Sequence, residues 1–243
     1  MITRMPATEP PRLNGPGIPA PSAALVAALA VMKPVRPRVP QRALLLTALA
    51  GFGFCSAALL ARPVRPDLAL LPPGWVVGVG LSWLLGFVVP LGLALLPRHG
   101  QVAPDGRRAA AAAALAVVGL VALTVVMNAE AIGVTASLDP TALATDAGRM
   151  FWPAWRRCMA EALSVSLPTL VVGAILLRRV ALVGAWRLGA ALGAAGGALG
   201  GLTLHLSCAV AGTAHAGWAH GLPVALAASL GSVALPALCQ LRG

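Results

Sequence analysis

The sequence predicts an all-α integral membrane protein, a bundle of six transmembrane helices. Three observations predict it. Of the 243 residues, 58% are hydrophobic and only 10% are charged, where a soluble domain carries about 25% charged residues. Six apolar runs approach the ~20 residues that cross a hydrocarbon core as helix. Gly and Ala are abundant and aromatics are scarce, which suits close helix–helix packing in lipid. Helix is the expected spanning form, because unpaired backbone groups are costly in hydrocarbon.

The elements follow in order. Residues 1–21 hold six prolines and no apolar stretch. They predict a disordered cytoplasmic start with no signal peptide. Residues 22–40 form the next unit. Its apolar block SAALVAALAVM, at 22–32, can begin a helix capped by Ser22, with Leu25, Val26, Leu29 and Met32 on one face. The block is too short to span, and KPVRPRVP at 33–40 breaks it with three prolines and three cations. Residues 41–243 then carry the six spans, at about 42–61, 74–96, 109–129, 157–177, 185–206 and 219–240. Pro90, Pro168 and Pro236 fall inside spans and predict kinks. Gly189, Gly193, Gly197 and Gly201 recur every four residues in the fifth span, close to one face, where another helix can approach. The longest loop runs from about 130 to 156.

The net charge of +11 could suggest nucleic-acid binding. The cations, however, lie between apolar runs, and there is no tyrosine and no stacking platform. Direct nucleic-acid binding is therefore not expected. The placement of charge follows the positive-inside bias. With both termini inside, the inner segments hold Arg4, Arg12, Lys33, Arg36, Arg38, Arg42, Arg98, Arg107, Arg108, Arg178, Arg179, Arg187 and Arg242, thirteen of the eighteen cations. Arg62, Arg65, Arg149, Arg156 and Arg157 fall outside, balanced there by Asp67, Glu130, Asp139, Asp146 and Glu161. The expected location is a cytoplasmic membrane with both termini in the cytoplasm. Lys33, Arg36, Arg38 and Arg42 would meet anionic lipid. Trp75, Trp152, Trp155, Trp186 and Trp218 sit near span ends, as an interfacial belt places them.

Candidate chemistry gathers on the outer side. Cys158 opens the fourth span and Cys208 follows the fifth, with His215 and His220 shortly after. Glu161, three residues from Cys158, shares its helix face. Three readings stand: a disulfide between Cys158 and Cys208, a site for a soft or borderline transition metal, or inert buried thiols with interfacial histidines. Arg156 and Arg157 could also stabilise a Cys158 thiolate for redox sensing. Cys55 and Cys239 read as small lipid-buried hydrophobes, and His99 lies in an inner loop. There is no HExxH, no GxSxG, no phosphate-binding glycine loop and no carboxylate pair within a span, so no enzyme is expected. The span centres are almost wholly apolar, against an ion-coupled transporter. A small-solute or metal permease, or a structural membrane subunit, is the alternative function.

Several segments together resemble one family. LVAALAVMKPVRP near the start, WRRCMAEALSVSLPTLVVGAILLRR at 155–179, the Gly-rich fifth span and HLSCAVAGTAHAGWAHGLPV at 205–224 are similar to the NrsF-like bacterial six-span membrane proteins. Those are associated with negative regulation of extracytoplasmic-function sigma factors. The resemblance implies an anti-sigma factor that holds such a sigma factor and releases it on envelope, metal or redox stress. It implies signal-linked cysteines at Cys158 and Cys208, with His215 and His220 as further metal or redox groups. Leu25, Val26, Leu29 and Met32 would then be apolar anchors for the partner. Two features depart from the family. Residues 22–32 carry no charge, and Leu206-Ser207 separate His205 from Cys208.

Overall fold

The computed structural model describes residues 22–24, 26–27, 40–97, 103–127, 140–177, 184–208, 210 and 212–240, with side chains of 140–154 outside that description. The chain divides into two units, Met1–Arg38 and Val39–Gly243. In the first, the Val26 N–H donates to the Ser22 carbonyl at 3.0 Å, so a helical turn begins just past Ser22. Val26 is exposed. Leu25, Leu29, Met32 and the proline-rich residues 1–21 lie outside the described residues.

Among its described residues, the second unit contains six helices long and apolar enough to cross a membrane: α1 Pro40–Leu60, α2 Pro73–Leu95, α3 Gly106–Val126, α4 with its apolar part at Trp155–Leu177, α5 Ala185–Ser207 and α6 Thr213–Gln240. No described residue is in a strand. The bounds fall within a few residues of the apolar runs, with two differences. Helix α4 starts at Pro140 and runs 38 residues, so the second half of the expected 130–156 loop is helical. Proline suits a first helical turn, where its missing N–H has no partner to lose. Helix α6 starts six residues earlier than its apolar run. It opens with one turn at Thr213–His215, widens to π-helix at Ala216–Gly221 and continues as α-helix over Leu222–Gln240.

Local chemistry sets the helix starts. The Asp105 carboxylate accepts from the backbone N–H groups of Arg107 at 3.0 Å and Arg108 at 3.4 Å, capping two orphan donors of α3. Gly184 precedes α5 at φ 74°, a left-handed conformation that glycine adopts without strain.

Helix α5 is the axis of the bundle. Its apolar window is 89% buried, against 22–50% for the other five. Small residues allow this, because backbones can then approach closely. The glycine stripe does not all meet one partner, however. Gly189, Gly193 and Gly197 lie against the α6 backbone, whereas Gly201 lies against the Trp83 ring of α2. The reason is helical drift. Four residues turn a helix about 400°, so a four-residue repeat precesses about 40° per step, and Gly201 sits about 120° from Gly189. Gly196 and Gly200, between them, take the α4 backbone at Ser166 and Ala162. Trp83, Phe87, Leu91, Leu192 and Leu199 fill the core around this axis.

Helix α1 packs on this core through Gly51, against Thr169 and Leu199. Cys55, read as a small buried hydrophobe, lies inside the bundle. It is buried, with its sulfur 3.2 Å from Thr203 Oγ1. Cys239 is half-buried. Trp186 and Trp218 are exposed near helix starts, whereas Trp155 packs inward and the Trp75 indole N–H donates to the Met127 carbonyl at 2.8 Å.

Candidate functional site

The C-terminal ends of α1, α3 and α5 meet the start of α2, the start of the apolar part of α4, and the start of α6 at one end of the bundle. The cysteines and histidines collect there. Cys158 and Glu161 stand one turn apart on α4. Cys208 caps α5, its N–H donating to the Leu204 carbonyl at 2.8 Å. His215 closes the first turn of α6, and His220 lies in the π segment.

Cys158 Sγ is 3.7 Å from Cys208 Sγ, and Cys208 Sγ is 3.4 Å from His215 Nε2. The three ligand atoms lie within 4.8 Å of one another. All three residues are buried, with Ala162, Leu204, Ala219 and Trp155 packed around the sulfurs. The π segment brings in His220. Five residues along an α-helix put two side chains about 140° apart, whereas π-helical turns close from residue i to i+5. The His215 and His220 rings meet edge to face, centroids 5.5 Å apart.

These distances test two chemistries. An ion held tetrahedrally at ~2.3 Å from sulfur and ~2.0 Å from nitrogen sets two sulfurs about 3.8 Å apart and each sulfur about 3.5 Å from the nitrogen. The observed 3.7 and 3.4 Å match both edges. Cys158, Cys208 and His215 thus fit a zinc-type ion. For a disulfide, the sulfurs would have to close from 3.7 Å to ~2.05 Å. The Cys208 thiol is held below its ordinary pKa, first by its hydrogen bond with Cys158 and then by those with His215 and His220, against the opposing effect of burial.

Ion pairs ring the site. Arg62, just past α1, pairs with Glu161 of α4. It is also the cation whose field reaches Cys158. Arg156 and Arg157, the cations singled out from the sequence, are both exposed. Arg65 grips Asp67 through Nε–Oδ1 at 2.7 Å and Nη2–Oδ2 at 2.6 Å, with both side chains buried. Its backbone N–H donates to the Leu206 carbonyl at 3.0 Å, tying the α1–α2 connection to the end of α5. His205 sits apart from the sulfurs. Its Nε2 is 3.2 Å from the Val76 carbonyl and its ring lies 5.0 Å from that of Trp75. Sequence reasoning missed both ion pairs. Counting charge by side had placed Arg62, Arg65, Asp67 and Glu161 on the same face, and that was the available signal.

The family model NrsF, described as negative regulator of sigma F, matches residues 25–240. No curated protein matches the chain, and no solved structure does.

Proposed function

The chain belongs to the NrsF family of negative regulators of sigma F, and we propose that it works as a membrane-bound anti-sigma factor of the extracytoplasmic-function type. The segment around 22–42 binds the sigma factor at the inner face of a bacterial cytoplasmic membrane, with Leu25, Val26, Leu29 and Met32 as anchors in a helix-in-groove mode. The Cys/His end faces the periplasm and senses metal or redox stress. Two considerations support this orientation: six spans return the chain to its starting side, and the charge bias puts that side within.

The observation that carries the sensing role is the convergence of Cys158, Cys208 and His215 from α4, α5 and α6. An ion bound there fixes the relative placement of three helices at once, and a bond between the sulfurs fixes that of α4 and α5. Those helices form the tightest part of the bundle, through Gly196, Gly197 and Gly200. Closely packed interiors pass such a constraint on as a change between discrete packings. To move a two-state equilibrium from 1:99 to 99:1, the ligand must prefer one packing by about 5.5 kcal/mol.

The test is sigma-dependent transcription in cells that carry the chain as their sole copy. Wild type should repress, and zinc, cadmium or a thiol oxidant should relieve repression. Cys158→Ser and Cys208→Ser should repress without responding. An unchanged response in the double variant removes the sensing role. Repression that is absent from the start removes the anti-sigma role and leaves the permease reading, which metal uptake into vesicles would measure.

A further inference from the structure

Resting on the metal-ion form of that reading, we propose that Glu161 Oε1 is the fourth ligand of a tetrahedral zinc-type site completed by Cys158, Cys208 and His215, and that Arg62 is the positioning residue that holds Glu161 for it.

The carboxylate is the starting point. Glu161 is more than nine-tenths buried, where an ionised carboxylate without partners is costly. One oxygen, Oε2, has Arg62. The other, Oε1, finds no hydrogen-bond partner among the described residues. Glu161 lies one helical turn from Cys158 and within electrostatic reach of Cys208. The carboxylate lies outside the 4.8 Å group formed by Cys158, Cys208 and His215, so a side-chain rotation brings its open Oε1 lone pair to the ion. Ligating carboxylates are themselves hydrogen-bonded by outer partners, and Arg62 already occupies that place.

Charge closes the argument. A divalent ion, two thiolates, one carboxylate, a neutral imidazole and one guanidinium sum to zero. Without Arg62 the same assembly would leave one negative charge buried.

His220 is the competing fourth ligand. Its Nε2 is also buried without a hydrogen-bond partner, and it reaches Cys208. It has another answer, however. His220 lines a cavity of about 40 Å³ shared with Arg65, Trp75, Thr124 and His205, large enough for a water, which needs roughly 10–15 Å³. Neither Glu161 nor the two cysteines line that cavity.

The consequence is mechanical. Cys158, Cys208 and His215 tie α4, α5 and α6. Through Glu161 and Arg62, the ion also tightens the hold on the end of α1, the helix that leads directly out of the N-terminal segment.

The experiment titrates the purified full chain in nanodiscs with Co(II), then measures Zn(II) affinity by chelator competition. Wild type should show thiolate-to-cobalt charge transfer and tetrahedral d–d bands. Glu161→Gln should keep the charge transfer, alter the d–d bands and lower Zn(II) affinity about 10–100-fold, as loss of an outer or carboxylate partner does. Arg62→Gln should lose a similar factor, and Arg62→Lys should recover part of it. The double variant should bind no more weakly than Glu161→Gln alone, because Arg62 acts through Glu161. His220→Ala removes only an outer hydrogen-bond partner of Cys208 and should keep the wild-type d–d bands. Unchanged affinity in Glu161→Gln, or d–d bands altered in His220→Ala and not in Glu161→Gln, overturns the assignment of Glu161. Additive losses overturn the role of Arg62. If wild type gives no charge-transfer band, the metal reading itself fails and the proposal with it. Thermal unfolding of each ion-free variant separates lost binding from lost fold.

Discussion

Gly197→Ala should loosen the bundle axis and weaken the Cys/His site together. The new methyl carbon would lie 2.6 Å from the Val224 Cα, and 3.3 Å from both Ala227 Cβ and the Pro223 carbonyl oxygen. Ordinary van der Waals contact begins at 3.4 Å, so α5 and α6 must part by about 0.8 Å. The nearest obstacle is backbone and cannot rotate away. Overpacking of this kind costs ~1–3 kcal/mol, and one to two kcal/mol alone changes the folded-to-unfolded ratio by a factor of about 5–30. Gly53→Ala is the control, because a Cβ there meets nothing within 4 Å. It should be neutral or gain up to ~1 kcal/mol from the better helix former. Unfolding in mixed micelles, titrated with SDS and followed by tryptophan fluorescence, compares the two. The same displacement separates Cys208, at the end of α5, from His215, at the start of α6, which now lie 3.4 Å apart. Co(II) binding should therefore weaken in Gly197→Ala and not in Gly53→Ala. Equal stability of the two variants would refute the claim that backbone contact sets the α5–α6 spacing.

Other outcomes follow from the same structure. Asp67→Asn strips the buried Arg65 guanidinium of its charge partner and should cost about 3–5 kcal/mol, the usual loss when one member of a buried pair is removed; a loss under about 1 kcal/mol, the range of exposed pairs, would show that water already reaches it. Full-length chain carrying Leu25→Asp together with Leu29→Asp should no longer capture sigma factor in a pull-down, and undiminished capture would remove the N-terminal segment as the binding element. Fusions at the α2–α3 connection and at the C-terminus should report the cytoplasm, and a fusion at the α1–α2 connection the opposite side. The reverse pattern would place Cys158 and Cys208 inside the cell and exclude periplasmic sensing.

Much of the fold was legible because lipid leaves few choices. A run of about 20 apolar residues must satisfy its backbone within itself. The six helices therefore follow from hydropathy, and the glycines of the fifth mark it as a packing element. The extension of α4 back to Pro140 was hidden, because that stretch carries Asp146 and Arg149 and lacks an apolar signature. Hydropathy likewise could not separate lipid-facing from bundle-facing positions within a span, and so the contact of Cys55 with Thr203 was not legible.

For the site, the sequence by itself determined which chemistry-bearing residues share one end: Cys158, Cys208, His215, His220 and Glu161 all flank spans that finish on the same side. Only the tertiary structure decided which of them touch. The 40° drift of the glycine stripe turns α5 from α6 toward α2 along its length, and Gly196 and Gly200 admit α4 to its side, which sets Cys158 against Cys208. The π segment of α6 brings His220 under His215. The pairing of Arg62 with Glu161 depends on where α1 ends against α4. Spacing along one chain fixes phase within a helix. Contact between helices depends on backbone approach, and that is set by the close packing of all six together.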